Sequence, residues 1–173
     1  PMFKKEKILG IIDFVIKEAA GYDTRVLVNS GSEGLTRFAN SEIHQNVHTN
    51  HLAVSITITE SNKRSEISTD LYTEEGLRDA VKEAINNLNY LPSGEEQPPL
   101  IPGPKQSIDI DINDKLKSEF SVEKRALKIK ECLDTLADSY LAYGALSYKE
   151  HVLAMGNSKG IRRLVGSNGV DFS

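Results

Sequence analysis

From Leu52 to Thr59 the chain alternates without exception, Leu52, Val54, Ile56 and Ile58 on one side against Ala53, Ser55, Thr57 and Thr59 on the other. A period of two suits a half-buried β-strand and no helix, so a sheet with one apolar face is the first thing this chain must build. Just upstream, Ile43, Gln45 and Val47 alternate with His44, Asn46 and His48. That segment reads as a second strand, displaying imidazoles and an amide on the face opposite its apolar residues.

Helices flank these strands. From Phe3 to Ala20, Ile8, Ile12, Val15, Ile16 and Ala19 recur at spacings of three and four, and Gly21 can end the helix. Val26 to Val28 then reads as the centre of a short strand, Arg25 to Asn29, with Ser30 to Gly34 as a turn. Glu60 to Lys63 is expected to form a hairpin connection, followed by a strand through Ile67 to Leu71. Thr73 is an N-cap candidate, Glu74 and Glu75 suit the helix dipole, and Leu77, Ala80, Val81, Ala84, Ile85 and Leu88 form one stripe.

Residues 92–107 hold Pro92, Pro98, Pro99, Pro102 and Pro104, which excludes a helix or a central strand and predicts a linker. Beyond it, Ile108 to Asp114 alternates as an edge strand would, with one wet face. Ser121 can cap a helix whose Val122, Ala126, Ile129, Leu133, Leu136 and Ala137 share a face. Strands are then expected at Leu141 to Tyr148, His151 to Met155 and Ile161 to Val165. The order helix, strand, strand, strand thus occurs twice, and Phe38 to Ile43 aligns with Met155 to Ile161 through the shared Asn-Ser pair. The expected fold class is α+β, built from two similar units that each carry an antiparallel sheet covered by helices. The boundaries are 1–91 and 108–173, the second unit being incomplete.

At 173 residues the chain can bury a real core. A net charge of −4 gives no electrostatic reason to expect nucleic-acid binding. The single cysteine, Cys132, forms no intrachain disulfide and sits among Ile129, Leu133 and Leu136, so it reads as a core thiol in a reducing, cytoplasmic setting. The apolar run after Lys4, Lys5 and Lys7 is broken by Asp13 and Lys17, so no membrane association is expected.

Three of the four histidines, His44, His48 and His51, lie close in sequence. On a strand, His44 and His48 stand about 13 Å apart, too far to share one ion, and no metal ligand is assigned in this chain. Asp109, Asp111 and Asn113 imitate the start of a calcium loop, but Asp114 stands where glycine is needed and Phe120 where the final carboxylate belongs. Gly31 to Gly34 and Gly156 to Gly160 lack phosphate-loop spacing and read as hairpin turns. The polar strand surface of Arg37, Asn40, His44, Asn46 and His48 remains, as candidate contacts for a peptide or partner, echoed by Asn157 and Arg162. An extended peptide could add to such a sheet as a further strand. Arg37 and Asn46, being off the apolar face, are expected to be dispensable for the fold.

The run from Leu35 to Asn46, LTRFANSEIHQN, resembles the N-terminal signature of the TldD/PmbA family, zinc-dependent peptidases once described as modulators of DNA gyrase. The helix beginning at Thr73 and the Met155 to Gly160 run add weaker likenesses. The resemblance implies peptide or unfolded-protein substrates, homodimers or heterodimers of TldD-like and PmbA-like chains, and a larger C-terminal catalytic domain absent here. The family's zinc signature is His-Glu-x-x-x-His, and no histidine in this chain is followed by Glu. The chain is therefore expected to carry no catalytic residue or cofactor of its own, zinc belonging to the full-length enzyme or its paired subunit. The alternative is a PmbA-like, non-catalytic subunit that serves in peptide binding or assembly.

Overall fold

A computed structural model describes residues 4–103, 107–137 and 139–173, so Phe3 and Pro104 lie outside the described residues. In chain order the elements are α1 (Lys5–Glu18), β1 (Asp23–Ala39), β2 (Glu42–Glu60), β3 (Lys63–Thr69), α2 (Glu74–Leu88), β4 (Ser107–Asp111), α3 (Asp114–Glu119), α4 (Val122–Leu133), β5 (Gly144–Asn157) and β6 (Arg162–Phe172). The described strands form a single sheet in the order β3-β2-β1-β5-β6-β4. This corrects the expectation of a separate antiparallel sheet in each half. Strand β1 is 17 residues long and pairs with β2 on one edge and β5 on the other, which satisfies a row of backbone groups that a two-sheet arrangement would leave bare. Neighbouring strands are antiparallel except at the margin, where β4 runs parallel to β6.

The expected turn at Ser30 to Gly34 is also corrected: β1 runs straight through it, as β2 runs through Thr49-Asn50. The reversal comes later, at Asn40 and Ser41, whose φ of 51° and 61° are those of a tight hairpin turn that Asn tolerates well. Ser61 and Asn62, with φ of 45° and 64°, close the next hairpin as expected. Likewise the segments anticipated at Leu141 to Tyr148 and His151 to Met155 are one strand, β5, and the C-terminal tail continues the sheet as β6. Both Asn-Ser pairs stand at the turns of these long hairpins, a likeness that turn chemistry alone accounts for.

Helices cover one face of the sheet. Even-numbered residues of β1 are buried along its length, whereas Arg25, Leu27, Asn29 and Arg37 are exposed on the other face. Ile8, Ile12 and Val15 of α1 and Leu77, Val81 and Ala84 of α2 pack on Val26, Val28, Val54, Ile56 and Ala154. Thr73 caps α2 as expected, its Oγ1 accepting from the Gly76 N–H at 3.2 Å. Ser121 caps α4 in the same way through Lys124, at 3.3 Å. Helix α4 ends at Leu133, earlier than expected, and Cys132 is exposed, correcting its reading as a core thiol. Ile129 of α4 packs on Phe38 and Leu146 at the far end of the same sheet face. No helix among the described residues is long and apolar enough to cross a membrane.

Candidate functional site

Between the α1/α2 pair and the α3/α4 pair the sheet face turns polar. The strand register places Asn50, Ser32, Glu150 and Asn168 side by side across β2, β1, β5 and β6. Above this row a cavity of about 250 Å³ opens, lined by Ser32, His48, Lys117, Phe120, Ser121, Val122, Glu123, Arg125 and Tyr148. Its floor is sheet, and its walls are α3, the Phe120-Ser121 connection and the first turn of α4.

Arg125 dominates the wall. It is only 1% exposed, lying one turn before the buried Ile129 and therefore on the same face of α4. Its Nε donates to Thr36 Oγ1 at 3.2 Å and its Nη1 to the Phe120 carbonyl at 2.8 Å. Nη2 donates to Asn46 Oδ1 at 3.3 Å and to the Val47 carbonyl at 3.0 Å. The guanidinium packs against Gly34, where an added Cβ would stand 2.1 Å from Nη1. Here glycine serves close approach, with a side chain taking the place of the missing Cβ. Burial lowers the Arg125 pKa from its ordinary value, and Glu123 pulls it partly back.

A second polar group anchors the opposite side. The Glu150 carboxylate is fully enclosed, accepting from Lys117 Nζ at 2.9 Å and from Tyr148 Oη at 2.7 Å. Asn168 Nδ2 donates to Tyr148 Oη at 2.9 Å, and Asn168 also exchanges two hydrogen bonds with the Asn113 backbone. The phenol is pushed up to about 12, chiefly by burial, so it stays a donor to the carboxylate across the neutral range. Closer to the cavity floor, Ser32 Oγ and His48 Nε2 are 3.1 Å apart.

The expected polar surface is thus divided. Arg37 is exposed on the open face, Asn40 sits in the hairpin turn bonded to the Tyr143 hydroxyl, and His44 reaches the Ala39 carbonyl at 2.9 Å from a bulge. That bulge arises because Arg37 faces Gln45 and Phe38 faces Ile43, leaving His44 unmatched. Asn46 and His48 alone reach the cavity region, and they do so on the helix-covered face, since they continue the register of Leu52 and Val54. The reading that they lie opposite the apolar face is corrected on that ground. Sequence reasoning missed Ser32, Gly34, Lys117, Arg125, Tyr148 and Glu150. For Arg125 a signal existed, four residues before Ile129 on the apolar stripe.

Asn46 is a structural tie as well: it accepts from Thr36 Oγ1 at 2.8 Å and donates to the Val122 carbonyl at 3.0 Å, linking sheet to helix. The ground for reading Asn46 as dispensable, a place off the apolar face, is thereby corrected. Asn46→Ala is expected to cost about 1–2 kcal/mol by urea unfolding, whereas Arg37→Ala stays within about 0.5 kcal/mol. Equal midpoints for the two variants would mean that Asn46 does not bridge these elements. Among the described residues no three His, Cys, Asp or Glu side chains converge as metal ligands would.

No family model matches the sequence, and no curated protein matches it. Solved structures do share its fold. TldE from Thermococcus kodakarensis superposes with a TM-score of 0.76 at 17% identity, over 95% of this chain and 37% of that one. A protein described as a modulator of DNA gyrase from Bacteroides thetaiotaomicron gives 0.73 at 13% identity, over 97% of this chain and 39% of its own. One from Thermotoga maritima, similarly described, gives 0.61 at 17% identity, over 97% and 38%. The chain therefore has the fold of part of these proteins and spans less than two fifths of their length.

Proposed function

We propose that this chain is the N-terminal, non-catalytic portion of a TldD/PmbA-type peptidase, or of its paired TldE-like subunit, and that it serves peptide recognition or assembly. The observation that carries this reading is the fold shared with TldE over 95% of the chain, together with the LTRFANSEIHQN run at the hairpin β1–β2. Substrates on this reading are peptides or unfolded proteins, the setting is cytoplasmic, and the assembly is a dimer of like or paired chains. The fit to zinc is poor within these residues: His44 is bonded to a carbonyl, His48 to Ser32, and His51 lies over Gly31 on the opposite sheet face. The ion would be supplied by a His-Glu-x-x-x-His helix elsewhere, with water activated there.

Two measurements test it. Purified without chelator, the chain alone is expected to hold no stoichiometric zinc and to hydrolyse no peptide. One zinc per chain, lost on replacing His44 and His48, would overturn that. Mixed with a TldD-type subunit carrying the zinc signature, it is expected to form a complex whose mass light scattering resolves. Failure to associate removes the assembly role.

A further inference from the structure

We propose that the cavity beside Arg125 is a binding site for a carboxylate carried next to an apolar group, the chemistry presented by a peptide C-terminus ending in an apolar residue. This goes beyond the peptidase reading and is drawn from the cavity alone.

The first observation is a desolvated charge without a counter-ion. All four acceptors around Arg125 are neutral: a hydroxyl, an amide oxygen and two main-chain carbonyls. Four of the five guanidinium N–H groups are thereby engaged, and the second N–H on Nη1 has no acceptor among the described residues. Among those residues no carboxylate comes within 4 Å of it, whereas the neighbouring cation Lys117 already has Glu150. Glu123 is the nearest acid by its effect, but its carboxylate accepts from the Ser121 hydroxyl at 3.0 Å and from its own backbone N–H, so it serves the start of α4. A buried cation held by neutral dipoles alone gains more than an exposed one from an arriving anion, because little water must be displaced.

The second observation is the shape and chemistry of the space. About 250 Å³ admits one side-chain-sized group with its carboxylate. Phe120 and Val122 offer an apolar wall, and the Ser32 and Ser121 hydroxyls lie on the same lining as the guanidinium. The one N–H left on the guanidinium, beside an apolar wall, favours a carboxylate oxygen over the neutral oxygen of an amide, since a charge-assisted hydrogen bond is the stronger.

The same chemistry can arrive from a peptide end or from a free small acid, and three probes separate them: the peptide Ala-Ala-Leu, its C-terminal amide, and N-acetyl-leucine. Titrated into the whole chain and followed by amide NMR, the peptide acid is expected to shift the resonances of Val122, Glu123 and Arg125. The amide should bind about tenfold more weakly, since it forfeits one charge-assisted contact. Binding of N-acetyl-leucine equal to that of the peptide assigns the site to small acids; weaker binding assigns it to chain ends. Because Arg125 variants can fail to fold, Val122→Phe, which fills the cavity from its wall, is the companion. It should lose binding while keeping the parent thermal midpoint. Equal affinity for acid and amide, absence of binding, or parent-like binding by the Val122→Phe variant overturns the proposal. A chain that binds the acids yet joins no peptidase subunit leaves this site standing and removes only the assembly role.

Discussion

Arg125→Ala is expected to lower the free energy of unfolding by about 3 kcal/mol, an unusually large loss for a charged residue on a helix. Truncation removes four hydrogen bonds at once and leaves the Phe120 and Val47 carbonyls, Thr36 and Asn46 to find new partners in a largely buried space. The sharper form of this prediction is a double-mutant cycle with Gly34. Gly34→Ala alone should cost about 2 kcal/mol, since its Cβ would stand 2.1 Å from Nη1 and 2.4 Å from Cζ, and a side chain tied at four points cannot simply swing aside. In the Arg125→Ala background the same methyl enters vacated space and should cost almost nothing. Urea unfolding of the four proteins gives the coupling directly; additive losses would show that the guanidinium does not rest on Gly34.

Ala80→Asp should be at least as damaging, with a loss of about 3–4 kcal/mol. Ala80 is 6% exposed, between Leu77 and Ala84 on the face of α2 that packs against the sheet. A carboxylate there is set among apolar side chains and must either remain charged or take up a proton at a cost. Glu83, three residues on, is exposed, and Glu83→Ala should stay within about 0.5 kcal/mol. Comparable urea midpoints for the two variants would place the helix in a different register.

The helix α2 and the hairpin closed by Ser61-Asn62 were legible because each announces itself locally, through a cap, a stripe or a turn residue. The length of β1 was not. Gly31 and Gly34 look like turn residues, and what keeps them in a strand is remote: the His51 ring over one and the Arg125 guanidinium over the other. Reading β1 and β2 as broken strands also disconnected His48 from Leu52, and so put the imidazole on the wrong face. The cavity was hidden for a related reason. Ser32, Glu150 and Lys117 come from three elements joined only by long-range register, and a lone Arg on an amphipathic helix ordinarily belongs to the solvated side. The fold class survives in coarser form, a mixed α/β protein with one mixed sheet.

The seam between β1 and β5 also orders events in time. The β1–β2 and β2–β3 hairpins close through short turns and can meet α1 and α2 early, whereas Phe38 finds Gly144 only after a loop of roughly a hundred residues has been brought round. Until the β5–β6 hairpin arrives, a 17-residue strand stands with one edge unfilled, its backbone donors and acceptors open to any other extended chain. During synthesis that wait lasts at least as long as translation from β3 to β6. Misassembly in this protein is therefore most probable in that interval, through capture of the β1 edge by a neighbouring nascent copy.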